Sequence, residues 1–261
     1  MKKDIEFSND FYIHLLETIK ANGYQFKFYD ELLSNQKYVI LRHDIDFSLN
    51  QAMKMAVNEH INDVKSTYFF LLTSNFYNLH SKESTQILKK IKSLGHDIGL
   101  HFDETKYSGC TIDQLVIEAR KEAETLTNIV GEKINKISMH RPSAKLLESN
   151  VSFGEDFINT YSIMFFKDIK YISDSRMNWK ENPLDVISSN KYTKIQILTH
   201  PIWYNIKSEQ PKDILMKFIR DASKELYSNI EQNITNLNDL LGINEILSEV
   251  NDNDKLPNEI K

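Results

Sequence analysis

The amino-acid sequence predicts an α/β protein built on a parallel sheet. Short apolar runs alternate along the chain with stretches whose apolar residues recur at helical spacing. The runs lack regular polar alternation, which is typical of strands covered on both faces. Five of the runs end at a histidine, an aspartate or an arginine. Because the carboxyl ends of parallel strands open on one common mouth, these polar residues are expected to converge there.

The first half of the chain alternates predicted helices and strands. Residues 8–22 place apolar side chains on one helical face and end at Asn22-Gly23, a common helix stop. Residues 66–72 are β-branched and aromatic, which favours a buried strand. In order, the predicted elements are a helix over 8–22, a strand over 38–42, a helix over 50–59, a strand over 66–72, a helix over 84–94 and a strand over 96–103.

The second half repeats the alternation. The predicted elements are a helix over 111–130, a strand over 134–139, strands over 171–174 and 194–200, and a closing amphipathic helix over 211–227. From residue 229 the chain is polar and poor in aromatic residues. We therefore predict a covering helix and lead-in over 1–35, a main domain over 36–228, and a partly helical extension over 229–261.

Composition and charge exclude several classes of protein. A length of 261 residues with 41% hydrophobic residues is sufficient for a large core. The 32 basic and 37 acidic residues are well mixed, which argues against a nucleic-acid partner. A single cysteine, Cys110, excludes an internal disulfide framework. The sequence turns acidic soon after Met1, with no signal-peptide pattern and no membrane-spanning run, so we expect a cytoplasmic protein.

The first predicted strand ends at two aspartates. Residues i and i+2 of an extended chain point the same way, so Asp44 and Asp46 should project together. Two carboxylates so placed repel each other unless a cation, a proton or an arginine lies between them. A solvated pair of loop acids is the alternative for this stretch considered by itself.

Six motifs in order resemble one known family. They are His43-Asp44-Ile45-Asp46, Thr67-Tyr68-Phe69-Phe70, Gly95-His96-Asp97-Ile98-Gly99-Leu100-His101, His140-Arg141-Pro142-Ser143, Ser173-Asp174-Ser175-Arg176 and Leu198-Thr199-His200-Pro201. This set, over about residues 36–204, resembles the polysaccharide deacetylase family, carbohydrate esterase family 4, which is built on the NodB homology domain. Within it, the sequence is similar to the branch with an H-D-x-D first motif that is associated with surface-polysaccharide biosynthesis.

The resemblance implies a fold and a reaction. The fold is a distorted (β/α) barrel, similar to a TIM barrel, and the reaction is the metal-dependent hydrolysis of an N-acetyl group on an amino sugar. A divalent metal, by preference Zn²⁺, polarises the carbonyl and lowers the pKa of a water molecule in such chemistry. By resemblance, Asp46 and His101 are metal ligands, Asp44 is the general base and His200 is the general acid.

Further roles also follow from the resemblance. Arg141 is similar to the arginine that orients the base, and Asp174 to the carboxylate that pairs with the acid histidine and so raises its pKa. Trp179 and Trp203 are candidates for an apolar wall beside the acetyl methyl group or the sugar ring. His43 faces away from Asp44 by strand alternation, so a supporting or substrate-contacting role and a structural role are both open.

One departure from the family pattern affects the metal site. Family members usually place a second histidine four residues after the first, whereas four after His101 is Thr105. His140 is the preferred substitute because it lies at a strand end just before Arg141, and Asp103 is the second choice. Asp103 otherwise remains a candidate for substrate contact.

The sequence thus predicts a hydrolase that removes an acyl group from an amino sugar. Its substrate would be a nucleotide-linked or lipid-linked amino sugar, or an oligosaccharide. The alternatives are a carbohydrate-binding relative that has lost the metal, and a hydrolase of another C–N bond or of an ester. The oligomeric state is not predicted.

Overall fold

The structure, a computed structural model, describes residues 5–31 and 36–249. Residues 32–35 of the predicted lead-in and residues 250–261 of the predicted extension lie outside these ranges, as do residues 1–4. The chain divides into two compact units, Met1–Ser208 and Glu209–Lys261. Residues 209–228, which were predicted to be part of the main domain, fall in the second unit. The predicted domain boundaries after residues 35 and 228 stay predictions.

The first unit is organised around an eight-stranded parallel sheet. Its strands are β1 (Gln25–Phe26), β2 (Tyr38–Ile45), β3 (Thr67–Phe70), β4 (Asp97–Asp103), β5 (Lys136–His140), β6 (Ile158–Asn159), β7 (Lys170–Ser173) and β8 (Lys194–Thr199). The order across the sheet is β6-β5-β4-β3-β2-β8-β7, and β1 pairs with the start of β2. The predicted α/β class is confirmed.

The sheet is curled into an open barrel. Arg42 on β2 donates a hydrogen bond of 3.0 Å to the hydroxyl of Thr160, which directly follows β6. Three strands separate β2 from β6 in the sheet, so these side chains meet only because the sheet curves toward its inner face. Tyr29, Phe69 and Phe165 pack within the same concave space. The predicted distorted (β/α) barrel is thus present, with β6 and β7 as the edges among the described strands.

Helices flank the sheet, and the helix that carries Phe165 contributes that side chain to the concave space. In the first unit they are α1 (Asn9–Ala21), α2 (Leu49–Ile61), α3 (Lys82–Ser93), α4 (Ile112–Val130), α5 (Ala144–Glu148), α6 (Ile163–Phe166) and α7 (Pro183–Ser188). Ser8, Ser48, Ser81 and Thr111 each accept a hydrogen bond from a backbone N–H in the first turn of a helix, which defines where that helix begins. The main apolar core lies between the outer face of the sheet and these helices.

The second unit is helical. It contains α8 (Pro211–Glu231), α9 (Leu237–Leu240) and α10 (Ile243–Glu249). Tyr227 of α8 is buried and donates a hydrogen bond of 2.8 Å to the carbonyl of Leu241. In the part of the chain that the structure describes, no helix has the length and apolar character needed to cross a membrane.

Candidate metal and catalytic site

The polar residues predicted at strand ends lie together at the carboxyl edge of the sheet. The residues and their positions are Asp44 and Asp46 at the end of β2, His101 in β4, His140 at the end of β5, Asp174 after β7 and His200 after β8. Parallel pairing places His101 beside Ser138 and Asp103 beside His140. Strand register therefore brings residues that are far apart in the sequence together at the carboxyl edge of the sheet.

Asp46, His101 and His140 form a triangle of potential ligand atoms. Asp46 Oδ1 lies 3.3 Å from His101 Nε2 and 3.3 Å from His140 Nδ1, and the two imidazole nitrogens are 3.2 Å apart. A tetrahedral centre with bonds of about 2.0–2.1 Å requires ligand atoms about 3.3–3.4 Å apart. These three residues also form the potential metal-binding group found among the described residues. Their spacing fits a divalent metal.

The environment of Asp46 supports the same interpretation. Its Oδ1 atom is buried and has no hydrogen-bond donor of good geometry within the described part of the chain. A buried carboxylate oxygen without a donor is unfavourable unless a cation neutralises it. Burial by itself raises the pKa of Asp46, but His101 and His140 lower it well below its usual value. The carboxylate is therefore ionised and available as a ligand.

Ser138 orients His101. Its hydroxyl lies 2.6 Å from His101 Nδ1, which leaves Nε2 directed at Asp46. A partner on the second ring nitrogen of a histidine ligand fixes the tautomer and the ring orientation. Ser138 was not predicted as a site residue. Ser138 lies two residues before His140 on the same face of β5, and that spacing is the signal that could have identified it.

Arg42 holds Asp44, whereas Arg141, which the resemblance suggested for this role, pairs with another carboxylate. The guanidinium of Arg42 is completely buried and donates to both carboxylate oxygens of Asp44, at 2.7 and 3.0 Å. Arg141 is a turn residue with a positive φ of 50°, and its side chain pairs with Asp103 at 2.7 Å. Arg42 precedes Asp44 by two residues on one strand face, so the i, i+2 alternation could have predicted the pair.

The pKa of Asp44 is lowered from its usual value. Burial by itself would raise this pKa, but the charge of Arg42 outweighs it, with smaller contributions from His101 and His200. Asp44 Oδ2 lies 3.7 Å from His101 Nε2 and therefore borders the triangle of ligand atoms. Asp44 is an ionised proton acceptor next to the candidate metal site.

His200 and Asp174 form a close pair on the other side of the triangle. Asp174 Oδ1 lies 2.6 Å from His200 Nδ1, and Asp174 Oδ2 accepts a hydrogen bond of 3.0 Å from the backbone N–H of His200. Burial lowers the pKa of His200, but Asp174, followed by Asp46 and Asp44, raises it overall to about 9. The Nε2 atom lies 3.8 Å from Asp46 Oδ2, so a protonated imidazole faces the site.

The remaining candidates have different surroundings. Asp103 accepts hydrogen bonds from Thr105 and Arg141. It does not contribute an atom to the triangle of potential metal ligands. His43 is completely buried on the opposite face of β2, where it contacts Glu59, which favours the structural one of the two roles left open for it. Trp179 and Trp203 are buried, and their contact with a sugar stays a prediction.

Fold and site together describe an α/β barrel protein with an Asp-His-His candidate metal centre that lies between Asp44 and the His200–Asp174 pair. No family model matches the sequence, and no curated protein matches it. Solved structures do match the fold, at low sequence identity. They include the Xyl-CE4 domain of a multidomain xylanase from the hindgut metagenome of Trinervitermes trinervoides, with 13% identity, a TM-score of 0.42, and coverage of 75% of this chain and 85% of that chain.

Two further structures are similar at the same level. A deacetylase from Streptococcus pyogenes in complex with acetate has 14% identity and a TM-score of 0.44, with 69% of this chain and 85% of that chain covered. A family 4 carbohydrate esterase from Bacillus anthracis has 14% identity and a TM-score of 0.42, with 80% of this chain and 85% of that chain covered.

Proposed function

We propose that this protein is a metal-dependent hydrolase that removes an acetyl group from the nitrogen of an amino sugar. The observation that carries the proposal is the triangle of Asp46, His101 and His140, whose sides are 3.2–3.3 Å, with Asp44 on one side and His200 on the other. Amide hydrolysis requires an activated water, a polarised carbonyl and a proton for the leaving amine. The arrangement provides a residue for each requirement.

The residues would divide the reaction as follows. A zinc ion held by Asp46, His101 and His140 would act as a Lewis acid on the acetyl carbonyl and lower the pKa of water. Asp44, kept ionised by Arg42, accepts the proton of the attacking water. His200 donates a proton from Nε2 to the departing nitrogen, while Asp174 holds Nδ1 and stabilises the protonated imidazole.

The substrate class follows from the motif resemblance. We infer a nucleotide-linked or lipid-linked amino sugar, or an oligosaccharide, that is processed during surface-polysaccharide biosynthesis. Zinc is inferred as the metal because two imidazoles and one carboxylate are a ligand set that catalytic zinc uses.

The proposal is tested by metal analysis together with acetate release. Protein purified without chelator is expected to contain about one zinc or other divalent ion per chain, and Asp46→Ala is expected to contain none. The native protein should release acetate from N,N′,N″-triacetylchitotriose, and Asp46→Ala should not. Native protein that contains no metal and binds the oligosaccharide without releasing acetate would instead support the carbohydrate-binding alternative.

A further inference from the structure

A second cluster of buried polar side chains lies on the opposite face of β2 from the candidate metal site. We call it the Glu59 cluster, and its members are Tyr12, His43, Glu59, Ser66, Tyr68 and His96. Glu59 is completely buried at the centre. The proposed reaction uses none of these residues directly.

Four side chains surround the Glu59 carboxylate at hydrogen-bond distance. The hydroxyls of Tyr12, Ser66 and Tyr68 donate to it at 2.5, 2.6 and 2.7 Å, and His43 Nε2 lies 2.8 Å away. A carboxylate can accept about four hydrogen bonds. Glu59 is thus fully satisfied, and its bond to His43 fixes the orientation of that ring.

The other nitrogen of His43 contacts β8. His43 Nδ1 lies 2.7 Å from the hydroxyl of Thr199, and both residues are completely buried. Because an ionised carboxylate only accepts, His43 Nε2 donates to Glu59, and the ring is held with Nδ1 toward the Thr199 hydroxyl. The contact joins two neighbouring strands through their side chains.

This contact lies directly behind the proposed acid and base. His43 and Thr199 are paired in the register of β2 and β8. The next residue on β2 is Asp44, and the residue after Thr199 is His200. Side chains alternate along a strand, so Asp44 and His200 point to the inner face while His43 and Thr199 point to the outer face.

The Thr199 hydroxyl is not needed for packing or for the charge of Glu59. Valine has nearly the shape of threonine and a high strand propensity, so it would fill the same buried position without a polar group. Three hydroxyls already donate to Glu59 without Thr199. A buried hydroxyl at this position therefore serves the contact with His43.

We propose that His43 and Thr199 are positioning residues that set the separation of Asp44 and His200, with Glu59 holding His43 in place. The inference rests on the proposed function, since it assigns a purpose to the spacing of the base and the acid. Effective acid–base catalysis depends on placement, and an error of about 1 Å can reduce the rate about 100-fold.

The first test compares three variants in the acetate-release assay with triacetylchitotriose. Thr199→Val removes the hydroxyl and is expected to lower kcat by about 10-fold or more with little change in KM, because binding groups are untouched. Thr199→Ser keeps the hydroxyl and should restore most of kcat. Ser66→Ala is the matched control, since it removes a different bond to Glu59 and should lower Tm while leaving kcat within about twofold.

The second test does not depend on activity. In zinc-free protein, the Nδ1 proton of His200, which lies in the 2.6 Å contact with Asp174, should give a low-field proton NMR resonance that Asp174→Asn removes. The resonance is expected to shift or broaden in Thr199→Val and to stay in place in Ser66→Ala. An unchanged resonance and an unchanged kcat in Thr199→Val, with only a lower Tm, would overturn the inference.

The two tests also separate this inference from the proposed function. Native protein that takes up no zinc and releases no acetate would contradict the proposed function. The comparison of the His200 resonance between Thr199→Val and Ser66→Ala would still decide whether Thr199 positions His200.

Discussion

At the scale of single residues, Asp44 and Asp46 share one strand end but have different surroundings. Asp44 accepts hydrogen bonds on both carboxylate oxygens from Arg42, a residue on the same strand. Asp46 faces the two imidazole nitrogens of His101 and His140 and has an oxygen without a good donor in the described ranges. The pairing with arginine suits a proton acceptor, and the buried oxygen of Asp46 that lacks a donor in the described ranges suits a metal ligand.

Exchange of Asp44 for asparagine tests the role of the base. Asp44→Asn is expected to reduce turnover by about 100-fold or more, because the amide does not accept the proton, while zinc content stays at the native level. Elemental analysis and acetate release measure the two effects, with Asp46→Asn as the matched control that should lose zinc. Loss of zinc in Asp44→Asn would mean that the roles of the two aspartates are reversed.

The third metal ligand is tested by a second pair of variants. His140→Ala should weaken zinc binding by more than about 100-fold, since it removes one corner of the triangle. Asp103→Ala should leave zinc binding nearly unchanged, because Asp103 pairs with Arg141 and Thr105. Competition with a chromogenic chelator measures both affinities. Equal zinc binding by His140→Ala and native protein would remove His140 from the site.

At the scale of elements, the close approach of β3 and β4 depends on Gly99. A Cβ atom at this position would overlap the ring of Phe69 and lie 3.0 Å from the carbonyl oxygen of Lys136. Phe69 in turn packs against the guanidinium of Arg42 at 5.2 Å. Glycine therefore allows Phe69 to lie inside the barrel and to support the arginine that holds Asp44.

Gly99→Ala is expected to destabilise the protein by about 1–3 kcal/mol, because Phe69 must move within a close-packed interior. The midpoint of urea denaturation measures this loss. The double variant Gly99→Ala/Phe69→Leu should lose less than the sum of the single changes, since the smaller side chain relieves the overlap. A single Gly99→Ala variant as stable as the native protein would show that the ring adjusts without strain.

At the scale of the whole molecule, the buried charges predict how stability depends on pH. Burial by itself raises the pKa of Glu59, but His43, followed by His96 and Ser66, lowers it from the usual 4.5 to about 2. A carboxyl group whose pKa is depressed in the folded state stabilises that state above its unfolded pKa. This contribution is present above about pH 4.5 and is lost as the pH falls through that value toward 2.

The prediction is checked by urea denaturation at pH 7, 5 and 3. The native protein should lose free energy of unfolding between pH 5 and 3. Glu59→Gln should be less stable at pH 7, because the buried cluster loses its charge-assisted bonds, and should show a smaller loss at acid pH. If the free energy of unfolding fell by the same amount between pH 5 and 3 in both proteins, Glu59 would not contribute to the acid sensitivity.

Elements with strong local patterns were predictable from the sequence. The strand predicted over 38–42 is part of β2, and the helix predicted over 111–130 is α4 within one residue at its start. The two-residue strands β1 and β6 were missed, because two residues are too few to establish a period of two.

The α/β class and the polar residues at the strand ends could be predicted from the sequence, because strand patterning and residue type are local properties. Asp46, His101 and His140 were proposed as ligands from the resemblance of the motifs at those strand ends, and the structure brings their ligand atoms together. The fold was needed to show that Arg42 reaches Thr160 and that Glu59 holds His43. These contacts depend on the curvature of the sheet and on the register between strands, which residues distant in the sequence set jointly.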